Sequence, residues 1–169
     1  QEIEKQLPSD IQIAAINGSL STVVAGPIES TEKLQAELEG RGIACKMLHT
    51  SHAFHSNMML TMVDEFKKIV EIIPRQLPEG KIYSTVTQNL ETELFTKASY
   101  WAEHVLKPVM FAPTINNIID EDTIFIEIGP RTTLKSLTTK EAGLQKKKPT
   151  TISVSDRTGK NEVSAIQNA

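Results

Sequence analysis

The sequence has little of several features that mark specialised classes of protein. Cys45 is the only cysteine among 169 residues, which excludes an internal disulfide and indicates a reducing compartment, here the cytoplasm. No apolar run approaches the roughly 20 residues that cross a bilayer, and no signal-peptide core opens the chain, so we expect no membrane partner. Aromatic residues make up only 5%, which argues against a surface that stacks on bases or sugars.

The chain also lacks an excess of charge. Its 18 Lys and Arg residues stand against 21 Asp and Glu residues, for a net charge of −3, and this balance gives no electrostatic reason to bind nucleic acid. Hydrophobic residues at 39% and charged residues at 23% are typical of an ordinary globular chain. The length fits about one domain, or two small ones.

The pattern of the first quarter is β-β-α-β, which is typical of small α+β sandwiches. Two β-rich runs flank Asn17-Gly18 and predict a hairpin with a loop longer than two residues. Leu34 and Leu38, four residues apart, predict one face of a helix. A further short strand is predicted over residues 43–48.

The remainder alternates helical and extended patterns, which predicts an α/β fold with a parallel sheet. Apolar residues between positions 58 and 73 recur at helical spacing and stop before Pro74. The other predicted segments are strands at 82–87, 123–128 and 151–155, helices at 98–105, 114–120, 132–139 and 161–169, and a linker at 143–149.

Three of the four histidines, His49, His52 and His55, are spaced three residues apart. Regularly spaced imidazoles are good zinc ligands, so a metal site is one hypothesis. Against it, no carboxylate follows the run before Asp64 to complete the ligand set. Surface or packed histidines at a strand-to-helix junction are the simpler interpretation.

Acid–base chemistry by His55 is a second hypothesis. His55 lies directly before a predicted helix, whose dipole disfavours a positive charge there and favours the neutral imidazole that can accept a proton. Such a base needs a nucleophile, yet the sequence contains no Gly-x-Ser-x-Gly elbow. Cys45 lies in an apolar stretch and is interpreted as a core thiol. The chain thus offers a base without a partner.

Five ordered motifs resemble the acyltransferase domains of modular polyketide synthases. Residues 51–56 read Ser-His-Ala-Phe-His-Ser before a Met-rich helix, as in that family. The other four motifs are the Ala-Ala-Ile-Asn-Gly to Val-Val-Ala-Gly hairpin at 14–26, Ser-Thr-Val-Thr at 84–87, Tyr-Trp with His-Val and Pro-Val-x-Phe at 100–111, and Phe-Ile-Glu-Ile-Gly-Pro at 125–130. The resemblance runs from about residue 11 to residue 137.

The resemblance implies that malonyl units are transferred from coenzyme A to the phosphopantetheine thiol of an acyl carrier protein. A family serine in a Gly-His-Ser-x-Gly elbow forms the acyl-enzyme, and the histidine that serves as base and acid corresponds to His55. A backbone carbonyl that orients this histidine corresponds to Thr85. His52, Ala53 and Phe54 correspond to the specificity motif, in which Phe54 would fill the space beside the acyl α-carbon and favour malonyl over methylmalonyl.

The family's elbow serine precedes the region of resemblance, so the chain is expected to be a C-terminal part that is inactive without its N-terminal half. The resemblance divides it into a truncated ferredoxin-like small subdomain (1–56), the C-terminal part of an α/β-hydrolase-like core (57–142) and a linker (143–169). Besides the N-terminal half, neighbouring synthase domains and the carrier protein are the expected partners, with malonyl-CoA as substrate and no resident cofactor or metal. A non-catalytic docking module that kept the surface and lost the chemistry is the alternative.

Overall fold

The computed structural model describes residues 4–155 and contains both helices and strands, which confirms the α/β class. Its α-helices are α1 (Ile28–Gly40), α2 (Leu60–Ile72), α3 (Ala98–Leu106), α4 (Phe111–Asn116) and α5 (Thr133–Leu144). Its strands are β1 (Gln12–Gly18), β2 (Ser21–Ala25), β3 (Ile82–Tyr83), β4 (Leu90–Glu91), β5 (Ile124–Glu127) and β6 (Thr150–Ser153). Single 3₁₀ turns cover Glu4–Gln6, Asn57–Met59 and Glu93–Thr96. Within this range, no helix combines the length and apolar character that a bilayer crossing requires.

The chain divides into two compact units. The first unit comprises Gln1–Ile16 and Thr22–Met110, and the second comprises Asn17–Ser21 and Phe111–Ala169. The domain boundaries expected from the resemblance, after residues 56 and 142, stay a prediction.

The first unit has its core between α2 and α3. Residues Ala98, Tyr100 and Ala102 are buried on α3, and Val70 is buried on α2, so the two helices pack by their apolar faces. Strand β1 is joined to the chain after α3, because the carbonyl of Val109 accepts the amide of Ile16 at 2.9 Å. The end of α3 is thereby held in place, which matters for the site described below.

The hairpin at the start of the chain is confirmed, but its loop is shorter than predicted. Strands β1 and β2 form a two-stranded sheet, and only Ser19 and Leu20 lie between them. The Asn17-Gly18 pair that suggested the turn belongs to the end of β1 instead.

Two predicted strands are wrong in whole or in part. Residues 43–48 form no strand, since no other described segment pairs with them and most of their side chains are exposed. The strand at 82–87 is reduced to the two residues of β3. There the Ser84 hydroxyl accepts the amides of Val86 and Thr87, at 3.1 and 3.2 Å, which turns the chain where the strand was expected to continue.

The remaining elements differ from prediction mainly at their ends. Helix α4 begins three residues before the predicted helix at 114–120, and α5 extends five residues beyond the predicted end at 139. The helix predicted at 161–169 lies outside the described residues.

The second unit contains a β-α-β arrangement formed by β5, α5 and β6. The two strands are parallel, with Ile124 opposite Thr150 and Glu127 opposite Ser153. Helix α5 packs against both strands. The Glu127 carboxylate accepts the amides of Leu134 and Lys135, both at 2.9 Å, and so satisfies two of the free N–H groups at the start of α5. This contact fixes the helix on one face of the strand pair.

Candidate active site

The segment that contains the predicted site is a short loop before α2. Ser56 is 2% exposed and caps the 3₁₀ turn Asn57–Met59: its hydroxyl accepts the Met58 amide at 3.3 Å and donates to the Ala53 carbonyl at 2.7 Å. The Gln12 side-chain oxygen accepts the Asn57 amide. These bonds fix the backbone directly after His55 and so set the direction of its side chain.

His55 has a left-handed backbone conformation, with φ of 62°. Its amide donates to the Val105 carbonyl at 2.9 Å, and its ring atom Nδ1 lies 2.9 Å from the Lys107 carbonyl. Both partners belong to the end of α3 or the residue after it. Because a carbonyl can only accept, Nδ1 carries the proton, and the lone pair of the neutral ring stands on Nε2. Nε2 is therefore the ring atom that can accept a proton.

The carbonyl that contacts the ring is a correction to the sequence prediction. Thr85 was expected to orient His55, but the Thr85 carbonyl accepts the Met110 amide at 2.9 Å. The Lys107 carbonyl holds the ring instead. The physical reason is the turn after β3, which directs this backbone to the segment that follows α3. No periodic pattern marks Lys107, so sequence reasoning missed it.

His104 is a second residue beside His55 that the sequence did not predict as part of the site. Its ring lies 6.0 Å from the His55 ring, edge to face, and 6.0 Å from each of the Tyr100 and Trp101 rings. Burial, and then the proximity of His55, lowers the pKa of His104 below its usual value of 6.5. Packing within α3 accounts for the two contacts with Tyr100 and Trp101, whereas the third contact brings His104 to the ring of His55.

The residues expected to control specificity lie beside an open apolar depression of about 340 Å³. Phe54 is 46% exposed, and its ring lies 5.8 Å from that of His52, whose Nδ1 is 3.0 Å from the Ser51 hydroxyl. Ala53 is half-buried and serves the loop through its carbonyl. The lining of the depression is His52, Phe54, Met58, Met59, Thr61 and Met62. His52 and Phe54 are thus brought together on one surface.

The histidine run does not form a metal centre in the described chain. Across residues 4–155, no three His, Cys, Asp or Glu side chains are grouped so that they could hold an ion. His55 is committed to the Lys107 carbonyl and His52 to the Ser51 hydroxyl, while His49 is exposed. The three histidines, spaced three residues apart, lie in an irregular loop and not on one face of a helix.

A family comparison agrees with the motifs in the sequence. The family of the acyl transferase domain matches residues 1–163. Polyketide synthase GfsA of Streptomyces halstedii is 33% identical over 136 residues, which are 80% of this chain and 2% of that protein.

Solved structures have the same fold. The acyltransferase domain from the second module of the salinomycin polyketide synthase has a TM-score of 0.83 and 29% identity, over 98% of this chain and 38% of that chain. A malonyl transacylase, solved in complex with a type II polyketide synthase acyl-carrier protein, has a TM-score of 0.78 and 19% identity, over 99% of this chain and 52% of that chain.

The chain thus spans a small part of a whole synthase and about two-fifths to one-half of the solved chains it matches. The resemblance predicted from five ordered motifs is confirmed. The chain belongs to the acyl transferase domain family, in the form found in polyketide synthases.

Proposed function

We propose that this chain is part of an acyltransferase that loads malonyl units from coenzyme A onto the phosphopantetheine thiol of an acyl carrier protein. The observation that carries the proposal is the hydrogen bond from His55 Nδ1 to the Lys107 carbonyl, because it leaves Nε2 as a proton acceptor. A family histidine with a free Nε2 is what acyl transfer through a serine ester needs.

In this proposal His55 transfers protons at two stages. Nε2 takes the proton of a serine hydroxyl as the serine oxygen bonds to the malonyl carbonyl carbon, and it returns that proton to the coenzyme A sulfur as the C–S bond breaks. The carrier thiol then loses its proton to Nε2 as its sulfur attacks the ester. The serine oxygen receives this proton when it leaves. A neutral backbone carbonyl at Nδ1 stabilises the transient imidazolium without fixing a charge on it.

The serine is supplied by the N-terminal half of an acyltransferase domain, because the sequence contains no Gly-x-Ser-x-Gly elbow. The chain alone should therefore form no acyl-enzyme. The acyl carrier protein and neighbouring synthase domains complete the partners, with malonyl-CoA and phosphopantetheine as the reacting groups and the cytoplasm as the compartment. A malonyl transacylase of the same fold, solved with its acyl-carrier protein, supports the carrier protein as a partner.

Phe54 is proposed to select malonyl. Its ring projects at the open apolar depression with 46% of its surface exposed, so it can occupy the volume that a methyl on the acyl α-carbon would need. His52, in ring contact with Phe54, holds this ring in place. Ala53 keeps the loop narrow between them.

The experiment is complementation with labelled malonyl-CoA. The chain is co-expressed with an acyltransferase N-terminal half that carries the elbow serine, and labelled malonyl on serine and on carrier protein is counted. We expect no adduct on the chain alone, and transfer by the complex that falls about 10²- to 10⁴-fold in His55→Ala. His49→Ala, from the same loop region but exposed and without a role in the proposal, should leave transfer unchanged.

Three results would count against the proposal. An acylated chain in the absence of the second half would show that the nucleophile lies within this sequence. Transfer that persists in the His55→Ala complex would remove His55 as the base. A complex that forms and binds carrier protein, yet transfers nothing with the native His55, would favour the non-catalytic docking module.

A further inference from the structure

The His55 ring is held by a single hydrogen bond, from Nδ1 to the Lys107 carbonyl at 2.9 Å. That bond fixes one ring atom, whereas the second side-chain torsion of histidine has a broad energy minimum. A carbonyl oxygen also accepts hydrogen bonds over a broad range of directions. The hydrogen bond therefore selects the tautomer but leaves the ring free to tilt, so the direction of Nε2 depends on a further contact.

The His104 ring provides such a contact. Its centroid lies 6.0 Å from that of the His55 ring, and the two ring planes meet at 68°, which is an edge-to-face arrangement. Aromatic rings attract one another in this geometry at centroid separations of about 4.5–7 Å. Burial, and then the proximity of His55, lowers the pKa of His104, so at neutral pH the contact places no second positive charge beside the base.

Two aromatic neighbours hold the His104 ring in turn. Tyr100 and Trp101 precede it by four and three residues on α3, and both ring centroids lie 6.0 Å from that of His104. Each of these rings has its own polar anchor. The Tyr100 hydroxyl lies 2.9 Å from the Ser84 hydroxyl, and Trp101 Nε1 donates to the Phe95 carbonyl at 3.0 Å. The surface against which His104 packs is therefore fixed.

We infer that His104 is a positioning residue for the base, whose ring limits the tilt of the His55 ring and keeps Nε2 directed at the serine proton. This inference rests on the proposed function, because His104 acts through His55 and not on the substrate. A base must lie within about 2.6–3.2 Å of the atom that carries the proton. A displacement of about 1 Å in a reacting group can lower a rate by about 100-fold.

A residue that only fills space would behave differently from a positioning residue. His104 is half-buried near the end of α3, the helix that packs on α2. If its ring served only that packing, its removal would lower stability and leave the tautomer of His55 unchanged. A positioning role instead predicts a change in the tautomer and in kcat, and these two quantities can be measured in the folded protein.

The first measurement requires no acyl transfer. In the chain labelled with ¹⁵N-histidine, the NMR shifts of the ring nitrogens show which nitrogen of His55 carries the proton. We expect the native chain to be protonated at Nδ1, and His104→Ala to show a mixture of the two tautomers, because the freed ring leaves the Lys107 carbonyl for part of the time. His104→Phe keeps a ring in the same place and should keep the native tautomer.

The second measurement is the kinetics of the complemented enzyme. His104→Ala should lower kcat by about 5- to 50-fold and leave KM for malonyl-CoA unchanged, because a misdirected base affects the transition state and not substrate binding. His104→Phe should recover most of this loss. Ser99→Gly is the matched control: Ser99 is exposed on the same helix, glycine weakens a helix, and kcat and the tautomer should both stay native.

Three outcomes would overturn the inference: a native His55 tautomer in His104→Ala, a loss of kcat in Ser99→Gly equal to that in His104→Ala, or an equal loss in His104→Phe. Far-UV circular dichroism verifies the fold of each variant. A His55 tautomer that depends on His104, in a complex that transfers nothing, would remove the proposed function alone. Transfer that His104→Ala leaves unchanged would remove this inference alone.

Discussion

The two units hold their key polar groups in opposite ways. In the first unit, His55 is half-buried in an irregular loop, and its ring is fixed by the backbone carbonyl of Lys107. In the second unit, Glu141 is 3% exposed, and its carboxylate accepts the Ser19 amide at 2.7 Å and the Ser19 hydroxyl at 2.9 Å. A neutral carbonyl leaves the ring free to gain and lose a proton. A buried carboxylate that accepts three hydrogen bonds holds the surrounding chain in place.

The comparison leads us to expect chemistry in the first unit and structural support in the second. The contacts of Glu141 hold the turn between β1 and β2 onto α5, and Asn116 of α4 adds a longer bond at 3.5 Å. A side chain added at Gly18 would lie 3.0 Å from Glu141 Oε1, so the approach of the hairpin to the helix is close. The second unit is therefore expected to respond to mutation in stability, and the first in activity.

The largest expected effect tests the support side of this comparison. Glu141→Ala should lower the free energy of unfolding by about 1.5–3 kcal/mol, because the Ser19 amide and hydroxyl lose a charged acceptor in a buried place. Urea denaturation followed by far-UV circular dichroism measures it.

The matched control for this prediction is Glu121→Ala, which removes an exposed carboxylate of the same unit and should change stability by less than about 0.5 kcal/mol. Equal effects of the two substitutions would show that the buried carboxylate does not support the turn.

The second effect tests the chemical side. In a complemented enzyme, Phe54→Ala should shift the ratio of kcat/KM for malonyl over methylmalonyl toward methylmalonyl by about 5- to 100-fold, which corresponds to about 1–3 kcal/mol of steric exclusion. Competition between the two thioesters measures the ratio directly.

Met47→Ala is the control for Phe54, since Met47 is also an exposed apolar residue of the first unit and does not line the depression. An unchanged ratio in Phe54→Ala would place selectivity elsewhere in the domain.

The smallest effect concerns pH. The lowered pKa of His104 means that, as pH falls below about 6.5, the unfolded chain binds a proton at this residue before the folded chain does. Stability should therefore fall with pH in that window and level off once the folded form is protonated. His104→Gln should flatten this dependence.

Trp101 is the only tryptophan and lies 6.0 Å from His104, so its fluorescence during urea unfolding at pH 7.5 and 5.5 reports the effect. His49→Gln should keep the native pH dependence, because it leaves His104 in place. The same pH dependence in His104→Gln as in the native chain would assign it to another group.

The sequence predicted the elements whose side chains show a clear period. Helix α2 was found from its apolar spacing, because burial on one face of a helix repeats in the sequence. The strand at 43–48 failed since a strand also requires a partner, and no residue type in the segment reports whether one is present. The prediction that strand β3 continues to residue 87 failed because the hydroxyl of Ser84 competes for backbone amides.

The site, like the fold, has parts that the sequence predicted and parts that it did not. The motif placed His52, Phe54 and His55 in one loop, and the structure brings the first two to one depression and the third to the end of α3. The carbonyl at the ring could not be read from the sequence, because every residue has a carbonyl and only the path of the chain selects one. Glu141 was missed for a related reason: acidic residues on helices are usually exposed, and its partner Ser19 is 122 residues away.

The left-handed backbone of His55 decides how the residue should be deleted. At φ of 62°, any residue with a β-carbon, histidine and alanine alike, carries a steric cost of about 1–2 kcal/mol that glycine does not carry. An alanine variant therefore removes the ring and keeps the backbone cost of the native residue, whereas a glycine variant also removes that cost and loosens the loop that carries Phe54. Rescue of the alanine variant by free imidazole from solution can then separate the role of the ring from the shape of the backbone.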